Sequence, residues 1–140
     1  MYSKKFQNSK TYFLLKEAFG AECYMAKCDE LFADIAQNEG LSNITQEFNE
    51  LLHSQNVLTT CYFNILSAAG ELFYGLNPGN TIENIKTALT AEILNTDRCV
   101  ALIKIARDEG LENIAEMMEE ISIGKMEYLQ RLDNLGSEIV

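Results

Sequence analysis

The sequence predicts an all-α protein in which two antiparallel helical hairpins pack as a four-helix bundle. Three observations indicate this fold. The chain of 140 residues contains a single proline, Pro78. Its two halves resemble each other at an offset of 70 residues. In the second part of each half, apolar residues recur at alternating spacings of four and three, as in helices that pack lengthwise against each other.

The repeat is clearest when residues 11–50 are aligned with residues 81–120 without gaps. Thirteen of the forty aligned pairs are identical, and the pattern E-G-L-x-N-I occurs in both copies, at 39–44 and at 109–114. Glycine suits the left-handed backbone that ends many helices. We therefore expect helices over about 10–38, 41–67, 81–108 and 111–135, with Gly40 and Gly110 in the hairpin turns.

Residues 68–80 connect the two repeats, about 10–67 and 81–135, within one domain of residues 1–140. Thr81 with Asn84 resembles a helix start. Two forms of the connection remain open. It can be extended and cross the length of the bundle, or the second helix can continue to Tyr74. The second form leaves too little chain to cross, so that two chains would exchange hairpins in a homodimer. Phe73, Tyr74 and Leu76 would then lie in a dimer contact or under the crossover.

The last helix of each repeat carries a stripe of core residues with the same 4-3 spacing. In the first repeat the stripe is Ile44, Phe48, Leu51, Gln55, Leu58, Tyr62 and Ile65. In the second it is Ile114, Met118, Ile121, Lys125, Tyr128, Leu132 and Leu135. Each stripe is interrupted at the matched position, by Gln55 or by Lys125.

Acidic residues are expected at the level of these two polar residues. Counting back from each turn pairs position 55 with about 22 and position 125 with about 92, and both of these positions are glutamate. We therefore expect Glu22, Gln55, Glu92 and Lys125 to meet in one interior layer. Buried charges are costly unless they are paired, so such a layer indicates a specific arrangement.

The chain at this point resembles the rubrerythrin family of ferritin-like di-iron bundles. The resemblance is carried by T-Y-F-L-L-K-E-A-F-G-A-E (11–22), by T-I-E-N-I-K-T-A-L-T-A-E (81–92) and by the two E-G-L turns. It extends over about 11–135, apart from the connection. It implies a ferritin-like bundle in which glutamates and two Glu-x-x-His pairs bind two metal ions.

Most of the ligands implied by the resemblance are replaced. Glu22 and Glu92 keep two of the seven positions, and a third glutamate falls on Asn95. The two Glu-x-x-His pairs fall on the following residues: Gln55 with Leu58, and Lys125 with Tyr128. A rubredoxin-type cysteine domain, as in full-length rubrerythrins, has no counterpart in this sequence.

These replacements predict a polar core in the place of a metal site. The ammonium group of Lys125 is expected to bridge Glu22 and Glu92, with Gln55 completing the hydrogen bonds, while Leu58 and Tyr128 fill the volume of the lost histidines. We expect no cofactor and a non-catalytic role in structure, partner binding or regulation. The alternative is a rubrerythrin-type oxidoreductase that reduces peroxide or handles iron at a residual or atypical site.

One further stretch of sequence matches the Glu-x-x-His ligand motif. Glu50-Leu51-Leu52-His53 reads as Glu-x-x-His, and His53 is the only histidine in the chain. Its glutamate, Glu50, lies five residues before Gln55, which is about 140° around the helix. We therefore expect His53 to be a partly exposed residue without a role in the layer.

Composition excludes several classes of partner and compartment. The net charge is −10, with no basic patch that would favour nucleic acid. No apolar run is long enough for a bilayer, and the first ten residues do not resemble a signal peptide. The four cysteines form no C-x-x-C pair, so we expect them to be reduced and half-buried in a cytoplasmic protein.

Overall fold

The structure, a computed structural model, describes residues 4–71 and 79–139, with five helices and no strand in these ranges. They are α1 (Lys4–Gln7), α2 (Lys10–Asn38), α3 (Ser42–Ala68), α4 (Thr81–Asp108) and α5 (Glu112–Ile139). The all-α prediction is confirmed. The long helices begin and end close to the predicted positions, except that α5 continues past residue 135. The four-residue helix α1 was not predicted.

The described residues fall into two compact units, each containing one helical hairpin. The first hairpin is α2 packed against α3, and the second hairpin is α4 packed against α5. The internal duplication remains an inference from the matched residues.

Both hairpins turn in the same way. Gly40 and Gly110 have left-handed φ angles of 75° and 77°, as expected from the E-G-L pattern. The next amide in each turn reaches back to the helix: Leu41 N donates to Ala36 O over 2.9 Å, and Leu111 N donates to Ala106 O over 2.7 Å. These bonds satisfy carbonyl groups that a helix end would otherwise leave without donors.

A third left-handed glycine ends α3. Gly70 has a φ of 82°, and Glu71 N donates to Leu66 O over 3.0 Å. The alternative of an unbroken helix to Tyr74 is therefore wrong, because α3 ends at Ala68 and residues 69–71 form this turn. Phe73, Tyr74, Leu76 and the rest of 72–78 lie outside the described residues.

The start of α4 uses different residues from those expected. Asn80 is the N-cap, and its side chain accepts a hydrogen bond from Glu83 N over 3.0 Å. Asn84 does not pair with Thr81 but accepts from Gly79 N over 2.9 Å. An asparagine before the first turn satisfies a free helix amide better than the predicted threonine inside it.

Each hairpin buries a narrow strip of small side chains between its helices. In the first hairpin the strip includes Ala33, Ala36 and Leu66, and in the second it includes Cys99, Ala106 and Ala115. On α3 the strip contains, between positions 45 and 66, the half-buried or buried residues Thr45, Phe48, Leu52, Gln55, Thr59, Tyr62 and Leu66, and Ile65 beside it is also half-buried. The residues at the equivalent positions of the repeat in α5 are also buried or half-buried: Ala115, Met118, Ser122, Lys125, Leu129, Leu132 and Gly136.

The predicted core stripes coincide only partly with these strips. Phe48, Gln55 and Tyr62 belong to both, as do Met118, Lys125 and Leu132. The remaining stripe residues are exposed except for the half-buried Ile65: Ile44, Leu51, Leu58, Ile114, Ile121, Tyr128 and Leu135. They each precede a strip residue by one position, about 100° around the helix. The stripe thus lies partly along one side of each hairpin, which we call the stripe side.

Candidate polar core site

Glu92 and Lys125 form an ion pair across the second hairpin. Lys125 Nζ lies 3.2 Å from Glu92 Oε2, and their side chains retain only 27% and 20% of their exposure. Helices α4 and α5 bring the two residues together because Glu92 lies as far before Asp108 as Lys125 lies after Glu109, at the two sides of the hairpin turn. A half-buried carboxylate gains more from a fixed cation than an exposed one does, since less water screens the pair.

A second cation, Arg98, lies nearly two turns beyond Glu92 on α4. Arg98 Nη1 donates to Asn95 Oδ1 over 3.4 Å, and Asn95 is half-buried. The resemblance would place a ligand glutamate at position 95. The side chain of Asn95 carries no charge, and its amide oxygen accepts a hydrogen bond from the Arg98 guanidinium group. Of positions 92, 95, 125 and 128, where the resemblance places ligands in the second repeat, only Glu92 therefore supplies a carboxylate, and it is paired with Lys125.

The equivalent positions of the first hairpin behave differently. Glu22 and Gln55 are both half-buried. No hydrogen bond joins them, and Gln55 Oε1 is buried without a donor among the described residues. A buried carbonyl oxygen without a donor costs about 1–3 kcal/mol. The first hairpin thus presents an unsatisfied acceptor at the position where the second hairpin presents a lysine.

Leu58 and Tyr128 do not fill the space between the helices of their own hairpins. Both are about half exposed and lie on the stripe side. That they fill the volume of the lost histidines remains a prediction. The meeting of Glu22, Gln55, Glu92 and Lys125 in one layer remains a prediction.

The residues at the expected metal site do not form a suitable set of metal ligands. Within 4–71 and 79–139, no three histidine, cysteine, aspartate or glutamate side chains cluster closely enough to hold a metal ion. Iron and manganese pairs require several carboxylates or imidazoles. Glu92 is instead held by an ammonium group, which repels a second cation.

His53 is exposed, as expected. It lines a polar surface groove of about 520 Å³ along α3, with Asn49 and Glu50 among its neighbours. All the residues lining this groove come from Ser42 and the three turns that follow it, so it has only one wall of protein.

All four cysteines are free, but their exposures differ from the prediction. Cys23 and Cys61 are exposed, Cys28 is half-buried and Cys99 is buried. Burial and the neighbouring charge of Glu22 raise the pKa of Cys23. Cys99 Sγ lies 3.4 Å from Met118 O and donates a weak hydrogen bond to it.

Two features were missed by the sequence analysis. The first is Asp29, which is 5% exposed and occupies the position equivalent to Cys99. Its spacing of seven residues from Glu22 places both carboxylates on one face of α2, and this spacing could have identified it.

The second missed feature is a polar clasp at the end of the first hairpin, formed by Tyr12, Lys16 and Glu71. The phenol of Tyr12 donates to Glu71 Oε2, and Lys16 Nζ lies 2.8 Å from Glu71 Oε1. Gln7 of α1 adds a hydrogen bond to Ala69 O. The clasp could not be predicted, because Glu71 lies outside both repeats.

The clasp changes the ionisation of its members. Burial, the hydrogen bond to Glu71 and the charge of Glu71 raise the pKa of Tyr12 to about 12. Burial also raises the pKa of Glu71, but hydrogen bonds from Lys16 and Tyr12 outweigh it, and the pKa falls below its usual value. The clasp is therefore strongest at pH values above the pKa of Glu71 and below the pKa of Tyr12.

No helix among the described residues combines the length and hydropathy needed to cross a membrane.

No protein-family model matches this chain. A rubrerythrin from Porphyromonas gingivalis is 27% identical over 134 residues, which cover 92% of this chain and 67% of the relative. This likeness supports a rubrerythrin-like helical protein and carries no information about the state of the metal site. At this level of sequence identity, the chain is similar to a rubrerythrin along nearly its whole length.

Proposed function

We propose that this chain is a rubrerythrin-like bundle in which a polar core has replaced the di-iron site, and that it acts by binding partners and not by redox catalysis. The observation that carries the proposal is the Lys125–Glu92 pair, 3.2 Å apart. An ammonium group holds the carboxylate that a metal ion would need.

The polar atoms of the two hairpins support a shared layer. Gln55 Oε1 is a buried acceptor that lacks a donor, and an ammonium group has three donors. Glu92 receives one of them. When the stripe sides of two hairpins pack together, Lys125 can donate to Gln55 Oε1 and approach Glu22, which satisfies the orphan oxygen and neutralises a second carboxylate.

Assembly of the layer depends on the connection between the hairpins. A ferritin-like arrangement requires the chain to cross the length of α3, about 40 Å for its 27 residues. The clasp holds Glu71 at one end of the first hairpin, and the ten steps from Glu71 to Thr81 span at most about 36 Å. The clasp thus favours a homodimer in which two chains exchange hairpins.

The mass of the protein in solution tests this assembly. We expect a dimer, and we expect that inserting a flexible Gly-Ser segment of about six residues after Leu76 will shift it to a monomer, because the chain can then cross its own bundle. A monomeric unmodified protein would contradict exchange.

The alternative is peroxide reduction or iron handling of the rubrerythrin type, which the likeness to the P. gingivalis protein favours. Metal analysis of protein produced with iron, manganese and zinc separates the two functions. We expect much less than one equivalent of metal per chain and no peroxidase turnover with a reductant. Two equivalents of iron would overturn the replacement of the site.

A variant that rebuilds the ligands provides the positive control. It combines Gln55→Glu, Leu58→His, Asn95→Glu, Lys125→Glu and Tyr128→His. We expect it to bind iron, because it restores all the ligand positions that the resemblance implies. Lys125→Met alone should not bind iron, since it removes the cation but supplies no ligand.

A further inference from the structure

The second hairpin has apolar residues on both of its long sides. One is the stripe side. On the opposite side, which we call the outer side, Ile93 and Met126 line one groove of about 330 Å³ together with Leu89 and Leu129. Val100 lies two turns beyond Ile93 on the same face of α4, and Ile123 lies one turn before Met126 on α5.

These side chains are strongly exposed. The exposed fractions are 48% for Ile93, 58% for Val100, 64% for Ile123 and 65% for Met126. The groove continues towards the end of the hairpin into a second one of about 480 Å³, which Ile85, Leu89 and Leu132 line. A contiguous apolar surface of this kind marks a binding site more often than a scatter of single residues does.

The repeat provides an internal control for this surface. The four equivalent positions of the first hairpin are Cys23, Glu30, His53 and Asn56. Glu30 is paired with Lys27 over 2.8 Å, as is usual for a solvent-facing position. The same backbone positions are thus polar or weakly apolar in one hairpin and apolar in the other, so the fold itself does not require apolar residues there.

The described residues contain two hairpins, and in the proposed bundle each hairpin uses one long side to contact the other. If the stripe sides pack together, as the layer requires, the outer side of the second hairpin remains free for another molecule.

The charges around the outer side identify the kind of partner. Asp97 lies between Ile93 and Val100 on α4, Glu127 follows Met126, and Asp133 lines the groove itself. All three are exposed. Lys104 is neutralised by Asp108 at 2.9 Å, which leaves Lys86 as the cation beside the groove. A second copy of the chain would bring the same acidic rim into contact with this one.

We propose that the outer side of the second hairpin binds an amphipathic helix with basic residues along the edges of its apolar stripe. The groove between α4 and α5 receives the apolar residues at helical spacing, and Asp97, Glu127 and Asp133 pair with the flanking lysines or arginines. This inference rests on the proposed function in one respect, that the stripe side is covered in the bundle. It does not depend on whether the metal site is present.

A synthetic peptide tests the proposal with the full-length protein. The probe is a leucine-lysine helix about five turns long, with leucine at i, i+3, i+4 and i+7, and the control peptide has the same composition with the leucines dispersed. Calorimetry should detect binding of the amphipathic peptide alone. Equal binding of both peptides would mean that charge suffices and would overturn the proposal.

Variants locate the site. We expect Ile123→Asn with Met126→Asn to weaken binding about tenfold or more, whereas the matched pair His53→Asn with Asn56→Gln leaves it unchanged. Asp97→Asn with Asp133→Asn should weaken binding and flatten its salt dependence, and this pair tests the site even if the apolar variant fails to fold. Unchanged affinity in the charge variant would overturn the proposal. So would conversion of a dimer to a monomer by the apolar variant, because the surface would then be covered by a second copy.

Discussion

Gln55 and Lys125 occupy equivalent positions in the two hairpins, and their polar atoms have complementary requirements. Gln55 Oε1 is buried without a donor, whereas Lys125 Nζ has one acceptor in place and further hydrogens to donate. The two hairpins have similar helices and turns, but at this equivalent position one has an amide acceptor and the other has an ammonium donor.

Lys125→Met is expected to reduce the free energy of unfolding by about 1–2 kcal/mol, because it leaves Glu92 half-buried without its cation. Adding Glu92→Gln should recover part of the loss by removing the unpaired charge. Urea unfolding measures both effects. Lys104→Met is the matched control, since its pair with Asp108 is exposed and its loss should be hard to detect. Equal effects at the two lysines would contradict the importance of burial.

Gln55→Leu and Lys125→Met are expected to be coupled if the two residues share a layer. Removal of either residue disturbs the same hydrogen bonds, so the double variant should lose less stability than the sum of the single variants. We expect a coupling of at least about 0.5 kcal/mol in a double-mutant cycle. Strict additivity would place Gln55 and Lys125 in separate environments.

Tyr12→Phe is expected to remove part of the alkaline pH dependence of stability. The pKa of Tyr12 is raised from 10.0 to about 12 in the folded protein. Its contribution is therefore complete below pH 10 and is lost as the pH rises through about 12. Thermal unfolding between neutral pH and this range would show a smaller decrease for Tyr12→Phe than for the unmodified protein.

Glu71→Gln tests the acidic limit of the same clasp. Because the pKa of Glu71 is lowered from 4.5, its contribution is present above pH 4.5 and is lost as the pH falls through the lower value in the folded state. The variant should be less stable at neutral pH but should lose less on acidification. If the acid profiles of the two proteins are parallel, Glu71 is not the group that titrates.

Gly40→Ala and Gly110→Ala are each expected to destabilise the protein by about 1 kcal/mol, because alanine is strained at a φ near +75°. Gly20→Ala is the matched control within α2, where an added Cβ meets no atom within 4 Å. It should stabilise the protein by about 0.5–1 kcal/mol through a better helix propensity. Chemical unfolding of the three variants checks the opposite signs.

The extents of the four long helices could be predicted from local pattern, since E-G-L marks both turns and the 4-3 spacing indicates helices at the positions of α3 and α5. The pairing of Glu92 with Lys125 followed from counting back from the turn at Gly110. The same count does not determine which way a side chain points, so it could not reveal that Gln55 Oε1 lacks a donor.

The sequence by itself determined the helices, the turns at Gly40 and Gly110, and the level at which polar residues enter the stripes, because these depend on propensity and spacing along the chain. Only the tertiary structure decided that Ile44, Leu58 and Tyr128 lie beside the hairpin interfaces and not within them. It also decided that Glu71 closes a clasp with Tyr12. The physical reason is that burial depends on the rotation of each helix against its neighbour, and a stripe two residues wide allows more than one rotation.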